Sequence, residues 1–113
     1  MALPIQEIVP AQFVPNSVGV LYTSPASTAT RIDKLTLSNL SGAVANVTIY
    51  IVPSGGTPGN SNVTTPGQAI QTGGVFNSPN EYGHYLNPGD GIYAVASAAN
   101  ALAILVAGTI VVG

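Results

Sequence analysis

Glu81 and His84 are three residues apart, the spacing at which a helix offers a carboxylate and an imidazole to one metal ion. In an extended segment that spacing sends the two side chains to opposite faces, and the chain has one His and no Cys to complete a ligand set. A polar rim loop, Asn77 to His84, fits better, and no metal or other cofactor is expected. A nucleophile triad would join His84 to Asp33 or Asp90 and a serine, but no G-x-S-x-G elbow presents one. Paired carboxylates for glycoside cleavage would have to come from Glu7, Asp33, Glu81 and Asp90. Two of these have structural work instead: Asp33 sits two residues from Arg31 on one strand face, and Asp90 ends a Pro88-Gly89-Asp90 turn. Ser54 to Gly59 is glycine-rich but lacks the Lys and the following helix of a phosphate loop. Asn39, Asn46 and Asn62 begin glycosylation sequons, yet Met1 to Glu7 has neither the basic nor the long apolar stretch of a secretory leader. These residues read as those of a protein without catalytic chemistry.

Binding is a different matter. Tyr82, Tyr85 and Tyr93, with Tyr22 and Tyr50, could form an aromatic platform for a sugar, although Trp is absent. Tyrosine is equally a protein-contact residue, because it brings area and a hydroxyl at low entropy cost. Tyr82-Gly83-His84-Tyr85 is therefore a candidate contact loop.

Composition favours contact over chemistry. Charged residues are 5% of the 113, against roughly 25% in ordinary domains. Two basic residues are too few to neutralise a phosphate backbone, so nucleic acid is not an expected partner. Apolar residues reach 46%, which excludes the disorder that low hydrophobicity would bring. With a net charge of −2 the chain repels itself weakly, which suits a protein that works packed against other protein; the alternative is a neutral extracellular domain solvated by hydroxyls and amides. Gly91 to Gly113 is uncharged and long enough to span a bilayer. Its β-branched residues and the turn at Ala98-Ala99-Asn100 predict strands there, and no membrane association.

The elements that hold these residues are strands. Val44 to Pro53 alternates, with Val47, Ile49 and Ile51 on one face. Thr30 to Leu40 alternates too, but Ile32 is out of phase with Leu35 and Leu37, which predicts a bulge at Asp33 or Lys34. Ser38 to Gly42 reads as a hairpin turn between these two strands. Val18 to Thr23, Gly91 to Ser97 and Ala101 to Val112 are further strands, the last with a possible break at Gly108. Gln68 to Phe76 and Tyr82 to Leu86 are weaker ones, and Pro53 to Gly67 reads as one long loop. Ile5 to Val9, between Pro4 and Pro10, is an edge strand or an arm. The sum is an all-β chain of seven to nine short strands, an antiparallel β-sandwich or a barrel, with a jelly-roll sandwich as the expected form. Residues 1–15 form the Pro-bounded arm or edge strand, and 16–113 the single sandwich domain.

Two stretches carry a resemblance. Arg31 to Gly42 running on to Val47-Thr-Ile-Tyr-Ile-Val-Pro-Ser-Gly-Gly56 is one; Leu86-Asn-Pro-Gly-Asp-Gly-Ile-Tyr-Ala-Val-Ala-Ser-Ala-Ala-Asn-Ala101, with Ile104 and Gly108, is the other. Together they resemble small virion proteins of tailed bacteriophages, of the head-decoration or cement type. The resemblance implies a jelly roll on the outer capsid surface, made in the host cytoplasm, that binds the major capsid protein and bridges its subunits. Separately from the resemblance, a homo-oligomer of closed symmetry, a dimer or a trimer, is expected. A neck, collar or fibre-attachment protein of the same particle is the first alternative, and a carbohydrate-binding module the second. Contacts are expected from the arm (Ile5, Ile8, Phe13), from the long loop (Thr57, Asn60) and from the Tyr loop (Tyr82, His84, Tyr85).

Overall fold

Alternating apolar and polar residues fold into strands throughout. The computed structural model describes residues 5–112, with side chains from 8 to 110, and contains no helix among them. The strands are β1 (Ile5–Phe13), β2 (Gly19–Thr23), β3 (Thr28–Asn39), β4 (Ala45–Val52), β5 (Val63–Ile70), β6 (Val75–Asn77), β7 (Tyr85–Leu86), β8 (Gly91–Ala96) and β9 (Leu102–Val112). In β3 the buried side chains are Thr28, Thr30 and Ile32, then Leu35, Leu37 and Asn39. The phase slips at Asp33, where the register against β9 jumps from Ile32–Gly108 to Lys34–Ala107. This is the bulge that the spacing predicts.

All pairing is antiparallel, in two sheets. The first runs β1-β9-β3-β6, with β7 also on β3, and the second runs β2-β8-β4-β5. The pairs nest: β4 with β5, β3 with β6 and β7, β2 with β8, β1 with β9. A long hairpin has in effect been rolled over, so that β9 also meets β3 and β8 also meets β4. That winding makes the sandwich a jelly roll, as expected from sequence.

Between the sheets Ile32, Leu35, Leu37, Ile49, Ile92 and Leu102 are wholly buried. Truncating any one to Ala would cost about 2–5 kcal/mol. β1 lies against the first sheet as an edge strand, from Ile5 opposite Thr109 to Phe13 opposite Ala103. The total surface of 5638 Å² matches the ~5,700 Å² expected for a closed monomer of this mass.

Several local expectations fail for one reason: short links cross between sheets. Ser38 to Gly42 is not a hairpin turn, because β3 and β4 belong to different sheets. Asn39 turns inward there and takes over the work of a ladder. Its Nδ2 donates to the carbonyls of Ala43 (2.8 Å) and Ile70 (2.8 Å), and its Oδ1 accepts from the N–H (2.9 Å) and hydroxyl (2.8 Å) of Ser41. The turn at Ala98-Ala99-Asn100 likewise links different sheets, with Asn100 at φ 56°. β9 runs unbroken through Gly108, where a Cβ would lie 2.5 Å from the Arg31 carbonyl oxygen.

The long loop is shorter than expected, since β5 already begins at Val63. Pro66 and Gly67 fit within β5 because it is an edge strand and they form a bulge opposite Thr48. Gly67 takes φ 55° there, and its N–H donates to Thr48 Oγ1 at 3.1 Å. Gln68 to Phe76 is divided by a turn into the end of β5 and the start of β6, and only Tyr85–Leu86 of the Tyr82 to Leu86 stretch is strand.

Candidate functional site: two unlike ends and a buried carboxylate

Glu81 and His84 part company. The link between β6 and β7 carries Glu81 wholly beneath the surface while His84 stays exposed. Three hydroxyls close on the carboxylate: Thr64 (2.5 Å) and Thr65 (2.6 Å) donate to Oε2, and Ser78 donates to Oε1. Thr65 and Ser78 are themselves 3.1 Å apart, and Asn80 Nδ2 donates to Thr65 Oγ1 at 3.2 Å. Thr64 and Thr65 belong to β5 on the second sheet, whereas Ser78 follows β6 on the first. The cluster therefore clips the two sheets together along their β5 and β6–β7 edges. Among the described residues no three His, Cys, Asp or Glu side chains converge on a metal position.

The other carboxylates also hold the fold. Asp33 Oδ1 accepts from Arg31 Nε at 2.8 Å, the pairing anticipated from their spacing. Its Oδ2 accepts from the Thr109 hydroxyl at 2.6 Å, and Arg31 also donates to Thr109 at 3.2 Å. The Thr109 and Arg31 hydrogen bonds hold the Asp33 carboxyl below its ordinary value, and Asp33 in turn raises Arg31. Asp90 accepts from the N–H groups of Ser54 (2.9 Å) and Asn87 (2.9 Å). It thereby secures a type II turn over Asn87-Pro88-Gly89-Asp90, with Gly89 at φ 91° and Asp90 N–H donating to Asn87 O at 2.9 Å.

The tyrosines do not form one platform. Tyr22 points its hydroxyl to Thr30 at 3.0 Å. Tyr50 and Tyr93 pair across β4 and β8 on the second sheet, while Tyr85 pairs with Arg31 on the first. A flat sugar cannot stack on Tyr93 and Tyr85 together.

The expected contact residues are scattered as well. Ile8 is a correction: it is buried in the core. The register shift between Glu7 and Val9 bulges β1, and this turns Ile8 and Val9 inward one after the other. Ile5 is placed by its backbone pairing alone, and its side chain is outside the described ones. Phe13 is exposed where β1 ends. Thr57 and Asn60 are exposed in the β4–β5 link, which Asn62 braces from within, its Nδ2 donating to Thr57 O (2.9 Å) and its Oδ1 accepting from Gly59 N–H (3.0 Å). Tyr82, His84 and Tyr85 are exposed along the β6–β7 edge.

Sequence reasoning missed a different surface. The β1–β2, β3–β4, β5–β6 and β8–β9 links all gather at one end of the sandwich. Backbone hydrogen bonds knit them: Asn39 N–H to Gly74 O (3.0 Å), Leu40 N–H to Ala101 O (2.9 Å), Val14 N–H to Leu102 O (2.8 Å) and Ala96 N–H to Pro15 O (2.8 Å). From this end Leu40 (66% exposed), Val75 (64%) and Val44 (51%) project into solvent, and Phe13 and Val18 are exposed at the same end on its β1 and β2 side. No residue of these four links is charged. Register puts Glu7 and Lys34 opposite Ala107, and Arg31 opposite Thr109. Every charged residue thus lies beyond the level of Leu35, toward the opposite end, where the links are Ser24–Ser27, 53–62 and Asn87–Asp90. The signal was available in the sequence: Leu40, Val44 and Val75 are large apolar residues in or beside turns that usually hold Gly, Pro, Ser or Asn.

No protein-family model and no curated protein matches the chain. A chain from a solved structure of Bacillus endospore appendages, a family of disulfide-linked pili, is similar in fold: 12% identical, TM-score 0.58, covering 97% of this chain and 88% of that one. The likeness is one of architecture. This chain contains no cysteine, so a disulfide link has no counterpart in it.

Proposed function

We propose that the chain is a non-enzymatic structural protein that works in many copies, covered by other protein, and that it decorates a tailed-phage head by bridging capsid subunits. The observation that carries this reading is the distribution of surface chemistry. The strands of the second sheet contain no charged residue, and one end of the molecule exposes Leu40, Val44 and Val75 without a charge near them. Such surface is costly to leave in water and gains by being covered. With charged residues only 5% of the chain, its contacts with other protein are apolar and hydrogen-bonded, so attachment should depend weakly on salt. Quantitative mass spectrometry of intact particles tests the reading. A ratio to the major capsid protein near one-to-one, or a simple fraction of it, supports decoration; a few per cent moves the protein to the neck or fibre base, and absence from particles rejects the phage assignment.

The fold likeness to a pilus protein supports a second reading, a subunit of a surface appendage. Without cysteine, such a filament would be held by non-covalent contacts alone. Electron microscopy of the purified chain separates the two: filaments that persist in reducing agent favour the appendage, and discrete particles favour decoration.

A further inference from the structure

We propose that the apolar end of the sandwich is a self-association surface, on which a second copy of this chain docks end to end around Leu40, Val44 and Val75. The inference rests on the reading above that this surface works covered by protein, and it names one covering partner. One observation favours a second copy as the occupant, and two more bear on how it would dock.

The first is charge. A buried contact must not trap an unpaired charge, so the occupant of this end must itself be uncharged where it touches. The same end of another copy meets that requirement, because none of the four links carries a charge. The charged residues of both copies lie beyond the level of Leu35, so no like charges are brought together.

The second is rigidity. Backbone hydrogen bonds among the four links, together with buried Asn39, hold the end in one shape before contact. Little ordering entropy then opposes docking.

The third is size. The molecule extends 45 × 26 × 19 Å, and the twelve residues of β3 span most of the long axis. The end face is then the 26 × 19 Å cross-section, or ~500 Å² per partner against about 800 Å² in an interface of standard size. An isologous pair of this kind closes on itself and is weak and reversible in solution. It leaves the β4–β5 link with Thr57 and Asn60 at the two far ends of the pair, free to meet two separate subunits of a larger assembly.

Sedimentation of the full chain from about 10 μM to about 2 mM tests this, over the range where so small an interface should titrate. Monomer is expected at the low end and a growing dimer fraction at the high end, little changed by added salt. Leu40→Glu and Val75→Glu should each weaken dimerisation about tenfold or more, since each would bury an unpaired charge. Thr57→Glu adds the same charge at the opposite end and should leave dimerisation unchanged. Leu40→Ser removes the apolar contact without adding charge and should weaken it several-fold, and thermal melts confirm that each variant is folded. A chain that stays monomeric throughout overturns the proposal and leaves the end to a different protein. So does a dimer that survives both glutamates, or one lost equally in Thr57→Glu. The copy-number measurement on particles is independent of these outcomes, so self-pairing can fail while the structural reading stands.

Discussion

The two ends of the sandwich turn the chain with different chemistry. At the apolar end the main brace is Asn39, a neutral amide buried under the links it ties together. At the polar end Ser24 is buried as well, its hydroxyl donating to the Thr28 carbonyl, but the links 53–62 and Asn87–Asp90 are braced by Asp90 and Asn62, which lie nearer solvent and accept from the backbone N–H groups of Ser54, Asn87 and Gly59. An inward amide frees the outside of its links for Leu40 and Val44; a half-exposed carboxylate needs water and small polar neighbours around it. The contrast shows that a loop's outer chemistry is set partly by how it is braced from inside. It also separates a surface made for contact from one made for solubility.

Substitutions can break that contrast or sharpen it. The largest effect is expected from the clip between the ends. Glu81→Ala would remove the acceptor that the Thr64, Thr65 and Ser78 hydroxyls share and leave a cavity between the sheets, and should cost about 3 kcal/mol. A thermal melt should then shift down by roughly 15 °C. Glu81→Gln keeps the volume and part of the bonding, so about half that loss is expected.

Next comes Asn39→Ala, which removes the donor to the Ala43 and Ile70 carbonyls and the acceptor of the Ser41 N–H. About 2 kcal/mol should be lost in urea unfolding, with the apolar end loosened. Asp90→Ala performs the same deletion at the wetter end. Water can replace the lost acceptor there, so about 1 kcal/mol is expected. If these two losses proved equal, the contrast between buried and solvent-exposed bracing would fail.

The smallest effect belongs to Asp33. Its folded carboxyl titrates below its unfolded value, chiefly through Thr109 and then Arg31. The resulting stability is fully present above the unfolded value, near pH 4, and is lost as pH falls through the lower folded value. The pair is exposed, so the change should be slight. Urea midpoints measured from pH 5 down to about pH 2 should drop less in Thr109→Val than in the parent chain.

The strands were legible because each pleat declares its buried face every second residue, and the slip at Asp33 showed even the bulge. The links were not. Five residues can reverse a chain within one sheet or carry it across the ~10 Å between two sheets, and Ser38 to Gly42 looks the same in either case. What decides is the inward Asn39, whose partner Ile70 is 31 residues away along the chain. Glu81 was hidden for the same reason: its hydroxyl partners in β5 are remote in sequence. The preference for an arm and Tyr loop as contact sites followed residue type. The apolar end emerges only when four links that are distant in sequence meet at one place.

The nested pairing also has a consequence for synthesis. Only β4 and β5 are near neighbours in the chain; Ile5 must wait for Thr109. β9 is the last strand in chain order, yet it sits between β1 and β3 in the first sheet. On a ribosome that sheet therefore has no middle until its final strand emerges, and β1 and β3 remain open edges until then. Closure over such distances places folding in the slow range for small domains, about milliseconds to seconds. During that interval the nascent chain, with so few charges to keep copies apart, is most exposed to pairing with the wrong partner.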